Sequence, residues 1–414
     1  MTMLALAEVY HTFCAENQIK TNSHVSDVFG KTLPSENVVK LSGNNRLNPV
    51  QRLDDADAHA LSKCLLNNKD VTALDLSYNN ITDEGANHMS ELLQRGKSLH
   101  FLDLTFNNIG EKGAQRFSQS LQSNEKLLSL TLSGNKVMNA GAMSLAHLLQ
   151  VNNTLQVLRL AGCELDTQSV IAFAIALKSN STLRCLDLSR PLLCGEQEEW
   201  AVHFAHMLAE NQSLLELHLG TMGIMTSGME RLSKGLLFNY SLKYLDLRCN
   251  RVTRDDVRPL VDVLLRNGST LEMLDLSSNQ IKDQGAVCLS QALVSPNCSL
   301  KELSLCSNNI DSEGLLSLAE ALTLNSTLTH LYIWGNRFQE PVCLAFRDLI
   351  ENGRLHPDHT DVRAYEVDDH VFLAQVFQTL RRQFYEPKNN TDHISSEPER
   401  PADTTTAKGM RFHV

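Results

Sequence analysis

Two stretches of this 414-residue chain come close to a phosphate-binding loop: VSDVFGKT, ending at Thr32, and ELLQRGKS, ending at Ser98. Such a loop needs both of its glycines so that backbone N–H groups can wrap the phosphate oxygens. Val25 and Glu91 stand where the first glycine belongs, and the second stretch falls at the end of an expected helix, so nucleotide binding is not expected. His203 and His206, three apart on an expected helix, have the spacing of half a metal site, but no third ligand is evident. The ten cysteines are scattered, with no C-x-x-C pair and no zinc-ligand spacing. No Ser/His/Asp or Cys/His grouping emerges either. These residues predict no catalytic centre, no cofactor and no metal.

Nine N-x-[ST] sequons occur, seven of them at Asn152, Asn180, Asn211, Asn239, Asn267, Asn297 and Asn325. In a secreted chain they would suggest glycosylation. Their recurrence at nearly constant intervals suggests instead that Asn ends a helix and Ser or Thr leads into the next strand. The N-terminus MTMLALAEVYHTF lacks the basic start and unbroken apolar stretch of a secretory signal. No window approaches the ~20 apolar residues of a membrane span. The expected setting is therefore intracellular, cytoplasmic or nuclear, with reduced thiols. A net charge of -11 disfavours nucleic-acid binding, which needs a basic footprint, and favours a basic partner.

The elements that would position any site are set by a repeat. The pattern L-x-L recurs at Leu74 and Leu76, Leu102 and Leu104, Leu130 and Leu132, Leu158 and Leu160, and Leu186 and Leu188. It continues at Leu217 and Leu219, Leu245 and Leu247, Leu274 and Leu276, Leu303 and Leu305, and Leu331 and Ile333. These are ten copies, spaced 28 or 29 residues apart except for one step of 31, with a degenerate earlier copy at Val39, Leu41 and Asn44. Around each pair the period is two, a short strand; after it the period is helical. Ala86, Met89 and Leu93 share one helix face, as do Ala114, Phe117 and Leu121. One strand–helix unit cannot bury that face, whereas stacked units can. Strands stack about 4.8 Å apart and helices about 10 Å apart, so strands line the inside of an arc. Asn79 and its equivalents turn the chain out of the strand and can bond the backbone of the next turn. The expectation is an α/β solenoid, a horseshoe with an inner parallel β-sheet and outer helices.

On these ten in-phase copies, residues 38–355 resemble the ribonuclease-inhibitor type of leucine-rich-repeat protein. That group includes the Ran GTPase-activating protein and the repeats of NOD-like receptors, whose nucleotide domain is missing from this sequence. The resemblance implies a non-enzymatic protein-interaction scaffold, monomeric, binding proteins on its concave face. The alternative is an activating protein for a small GTPase, weakened because the tail has mixed charge where those proteins carry an acidic run. The stretch GRLHPDHTDVRAYEVDDHVFLAQV, residues 353–376, resembles one vertebrate member of the family more closely. That likeness implies a nuclear, even nucleolar, presence, a role in stem or germ cells, and partners such as nucleophosmin and nucleolin.

Residues 1–37 read as a capping helix (Leu4, Leu6, Val9, Tyr10 and Phe13) followed by a loop over 19–37. Residues 356–385 read as a C-terminal cap: a strand pair, 362–367 and 371–376 around Asp368 and Asp369, then a short helix ending near Tyr385. From Glu386 to Val414 the composition is that of a disordered tail. Its last residues, Phe412, His413 and Val414, have the pattern that some PDZ domains bind. In the middle, the Asn slot holds Cys163, Pro191 and Met222, which predicts a local distortion or a projecting loop over 191–200. The residue between the two leucines faces inward and is Asp in five of ten copies, a mildly negative surface. Aromatics mark its ends. Tyr78, Phe101 and Phe106, flanked by Asp75 and Asp103, form the expected N-terminal contact site. Tyr332 and Trp334 form a second, or else pack under the C-terminal cap.

Overall fold

The computed structural model describes residues 3–31, 37–45, 49–193 and 198–387. Among them, eleven three-residue strands form one parallel sheet in chain order. They are β1 (Val38–Lys40), β2 (Ala73–Asp75), β3 (Phe101–Asp103), β4 (Ser129–Thr131), β5 (Val157–Arg159) and β6 (Cys185–Asp187). The sheet continues through β7 (Glu216–His218), β8 (Tyr244–Asp246), β9 (Met273–Asp275), β10 (Glu302–Ser304) and β11 (His330–Tyr332). A helix follows each strand. The register pairs Leu74 with Leu102, Leu102 with Leu130 and so on, which stacks the leucines into one continuous core. Val39 pairs with Leu74, so the degenerate first copy is a true repeat. The helix faces Ala86–Met89–Leu93 and Ala114–Phe117–Leu121 are buried, as their spacing implies.

Three ladders of side chains tie each repeat to the one before it. At the end of most strands an asparagine turns the chain. Asn107 Nδ2 donates to the carbonyls of Leu76 and Leu104, and its Oδ1 accepts from Ile81 N–H. Asn79, Asn135, Asn250, Asn279 and Asn336 repeat the arrangement. The bonds reach the preceding turn, not the following one. Cys163 takes the slot with its thiol 3.1 Å from the Leu132 carbonyl. The residue before the slot lies in the left-handed region: Tyr78 at φ 59°, Phe106 at 51°, Thr221 at 57° and Ser278 at 57°. A non-glycine residue there costs about 1–2 kcal/mol, offset by the bonds of the neighbouring amide.

The second ladder explains the sequons. Asn180 Nδ2 donates to Leu149 and Asn152 carbonyls, and its Oδ1 accepts from Thr182 and Leu183 N–H. Asn124, Asn152, Asn211, Asn239 and Asn325 do the same and are buried. Asn267 and Asn297 are exposed. Near the first, the Arg266 guanidinium takes over, bonding the carbonyls of Leu236, Leu237 and Asn239. The third ladder caps helices. Asp83 Oδ1 accepts from Gly110 and Gly113 N–H of the next repeat. A Cβ on Gly113 would lie 2.7 Å from that oxygen, so the close approach requires glycine. Asp55, Asp283 and Glu198 act likewise.

The ends depart from expectation in two places. The N-terminal helix Met3–Glu16 is present, with Leu6, Tyr10 and Cys14 buried and Val9 exposed. Residues 19–37 are not all loop, because Ser23–Lys31 forms a second helix. Its one buried pair, Val25 and Phe29, is too short a run to show a period, yet Phe29 packs edge-on against Tyr10. Val25 of the first loop-like motif is therefore a core residue, and Glu91 of the second lies within the helix Asp83–Arg95. At the other end, β12 (Val362–Val367) and β13 (His370–Gln375) form the expected antiparallel hairpin. Asp368 and Asp369, at φ 50° and 61°, make its turn. The helix expected to end near Tyr385 is absent; residues 376–387 run without regular structure back across the sheet. Phe377, Leu380 and Phe384 mimic a helical period, but Phe377 is 96% exposed while Leu380 is buried on the sheet.

In the irregular middle, Trp200 is a core residue that packs edge-on against Phe204, so that end of the 191–200 segment does not project. Residues 194–197, the tail from 388 and its terminal Phe412, His413 and Val414 lie outside the described residues. No helix among the described residues is long and apolar enough to cross a membrane.

The second ladder predicts unequal sequons. Asn180→Ala leaves two or three buried backbone groups unpaired, at about 1–3 kcal/mol each, and the urea midpoint should fall clearly. Asn267→Ala should leave it unchanged. Equal midpoints for the two variants would contradict the ladder.

Candidate protein-binding face

Two residues of every strand face inward: the one between the leucines and the one before the first. The recurrent aspartates first serve the backbone. Asp75 Oδ1 accepts from Ser77 N–H at 2.9 Å and Asp103 Oδ1 from Thr105 N–H at 2.8 Å. Asp187, Asp246 and Asp275 repeat this bond. Burial pushes the Asp103 and Asp275 carboxyls up from their ordinary range.

At the N-terminal end, Tyr78 and Phe106 stack with centroids 4.9 Å apart and planes 29° from parallel. Phe106 is 50% exposed. Its ring rests on Gly134, where a Cβ would come within 2.4 Å of it. Phe101 stands on the same face, half-buried, with no ring contact to that pair among the described residues. Asp75 and Asp103 are half-buried beside it on paired strands. Asp75, Phe101 and Asp103 thus lie on the paired strands β2 and β3, and Tyr78 and Phe106 lie in the turns that follow them.

At the C-terminal end, Tyr332 is buried, 4% exposed, in a cluster with Tyr244, Met273 and Leu380. Trp334 is half-buried against Phe338. The covering Leu380 belongs to the segment that crosses the sheet. Arg381 next to it pairs with Glu302 at 2.7 Å. The N–H groups of Phe384 and Tyr385 both donate to Glu216 Oε2, at 3.0 and 2.9 Å, and Tyr385 Oη reaches Gln156 Oε1. Glu216, Tyr244, Met273 and Glu302 were missed in the sequence because they stand in the second inward column. A non-alternating column there, with two glutamates and a tyrosine before leucines, was the available signal.

The centre of the face is a buried ion network. His218 lies between Glu216, 2.6 Å from Nε2, and Asp246, 3.0 Å from Nδ1. Arg248 reaches Asp246 at 3.1 Å, and Arg159 approaches Glu216 at 3.9 Å. Burial pushes the His218 pKa down. The bonds to Asp246, Cys185 and Glu216 outweigh it and hold the imidazole well above 6.5, protonated. Burial likewise opposes ionisation of Glu216, but His218, the Tyr385 N–H and Arg159 hold its carboxyl below the ordinary range. Cys185, Glu216 and His218 lie within 4.8 Å of one another, a spacing that could suit a metal ion. The imidazolium and Arg159 already balance the carboxylates, so these contacts describe a salt-bridge network. His203 and His206 join no such group among the described residues. The Cys185 thiol is fully buried and its pKa is raised by burial, the opposite of an activated nucleophile.

A parallel inner sheet, outer helices and asparagine-tied turns define a leucine-rich-repeat protein. The sequence matches the Leucine Rich repeat family over residues 67–87, 97–118, 123–146, 151–174, 238–261, 269–290 and 297–319, skipping the irregular middle. Leucine-rich repeat-containing protein 34 of Mus musculus is 47% identical over 390 residues, covering 92% of this chain and 94% of that protein. Its Rattus norvegicus counterpart is 51% identical over the same shares, and the Homo sapiens one is 42% identical over 48% of this chain and 43% of its own length. The chain belongs to the leucine-rich repeat-containing protein 34 family. Among solved structures, leiomodin-1 actin-binding site 2 aligns with 38% of the chain and 88% of its own length, at 18% identity and a TM-score of 0.33, a likeness from which nothing is carried over. Repeats of this family are generally protein-interaction modules.

The network predicts a pH dependence. A histidine whose folded pKa is raised stabilises fully below its unfolded pKa, and that contribution is lost as pH rises through the folded value. The melting-temperature gap between the native chain and His218→Gln should therefore be widest below about pH 6.5 and narrow as the pH rises above it. A gap independent of pH would show that His218 is not a buried imidazolium.

Proposed function

We propose that this protein is a scaffold that captures a protein partner on its concave face, anchored by Tyr78 and Phe106 at the open N-terminal end. The observation that carries this reading is the stacked pair itself, with Phe106 half exposed in the turn after β3. Large aromatics left in water are unfavourable unless covered, and interface energy concentrates in such residues. Phe101 extends the apolar patch. Asp75 and Asp103 flank it and favour a partner bearing Arg or Lys, acting on association rate and salt sensitivity more than on final affinity. Tyr332 contributes to this face only where the crossing segment is displaced, and Trp334 packs against Phe338. The setting we infer is nuclear and nucleolar, following the family likeness, and nucleophosmin and nucleolin are the partners to test first.

Truncating Phe106 to Ala should cost binding about 1–3 kcal/mol in a titration against the purified partner. Folding should lose no more than about 1 kcal/mol for the missing stack, since the ring lies outside the core. A steep fall in melting temperature would mean that Phe106 supports the fold. Unchanged melting with unchanged affinity would place the contact elsewhere on the arc.

A further inference from the structure

The segment 376–387 (VFQTLRRQFYEP) crosses the inner face from β11 to the start of β5 by a few side-chain holds. Its backbone makes no ladder with the sheet among the described residues. Beyond Gln378, its backbone N–H groups that bond the sheet are the two on Glu216. The holds have a definite order. Leu380 fills the apolar site of Tyr244, Met273 and Tyr332. Arg381 meets Glu302, and its guanidinium also lies over the Phe384 ring. Phe384 and Tyr385 then present consecutive N–H groups to one carboxylate oxygen. Glu216 is built for that task, because its other oxygen is taken by His218 and Arg159 approaches from the side. A terminal segment held this way can leave without unfolding the repeats beneath it.

We propose that the C-terminal half of the concave face, β7 to β11, is a peptide-binding groove, and that residues 376–387 are its resident ligand. The external ligand is an extended protein segment of the same chemistry: a leucine, an arginine directly after it, and an aromatic residue three positions further on. Glu302 pairs with Arg381 of the resident segment at 2.7 Å, so an arginine at that position is selected by charge. Tethering gives the resident segment an effective concentration in the millimolar range, so an external segment wins only when it binds more tightly or when the tether is released. This proposal rests on the reading of the concave face as a protein-binding surface. It is tested on the purified chain alone with a synthetic peptide, so it can fail while the Phe106 site stands, and the reverse.

The experiment uses the full chain and a fluorescein-labelled peptide of residues 376–387, read by anisotropy. The native chain is compared with a chain carrying Leu380→Asp and Arg381→Ala, and with the milder Arg381→Ala alone. These substitutions lie outside the repeats, and circular dichroism verifies the fold of each variant. The released chains should bind the peptide at least about tenfold more tightly than the native chain, the direction set by the tethered competitor. Adding Glu302→Lys to a released chain should cost about tenfold, and a peptide with Arg381→Glu should recover that loss. Folded released chains that bind no better than the native chain would overturn the proposal. So would binding that ignores Glu302→Lys, or that a scrambled peptide reproduces.

Discussion

A turn of this solenoid buries backbone carbonyls and N–H groups that it cannot pair by itself. A three-residue strand and a short helix leave both ends of each element unpaired, and an unpaired buried amide costs more than a made one gains. The following repeat supplies partners through the asparagines at its strand end and helix end, and the preceding repeat supplies an acid for the next helix start. The dependence shows most clearly where the pattern breaks. Arg266 and Arg354 reach into the carbonyls of the preceding repeat near the helix ends where the chain departs from the usual asparagine. Glu198, at φ 24°, folds inward to cap the following helix after the irregular middle. Tyr78 and Phe106 tolerate a left-handed backbone because Asn79 and Asn107 beside them hold the turn.

Since every such bond links neighbours, stability passes along the array one interface at a time. The inner sheet is therefore a rigid platform whose two inward columns are free to vary, and they do. From β2 to β4 they carry half-exposed polar residues and Phe101, with the stacked aromatic pair in the turns that follow β2 and β3. From β7 to β11 they carry buried acids, a histidine bonded to two of them and an aromatic floor, and the chain's own segment crosses them. Burying His218, Glu216 and Asp246 together costs desolvation that only their mutual contacts and the flanking arginines offset. The return is a carboxylate fixed in place with one oxygen turned to the covering segment.

The repeat was legible because leucines at L-x-L and the apolar faces of the helices have periods that the fold must honour. Even the place of the sequons at helix ends was legible. The helix Ser23–Lys31 was not, since two buried residues make no pattern, and its anchor is tertiary: Asn22 bonds Asp57 and Tyr10. The crossing segment was misread for a different reason. Leu380 and Phe384 have helical spacing, but the surface that decides their conformation comes from strands more than 40 residues away in sequence. The open aromatic pair could be placed from its slot; its covered counterpart could not, because Tyr332 is buried by a residue no local pattern connects to it.

The central claim is that one concave surface is divided between an end the chain fills itself and an end left open. Amide exchange at Phe384 and Tyr385 in the free full-length chain tests it most directly, since both N–H groups are held by Glu216. The account predicts that these two amides exchange at least about tenfold more slowly than in a peptide of the same sequence, and that Glu216→Gln speeds them. Exchange at the peptide's rate in the native chain would show that the segment does not occupy the face.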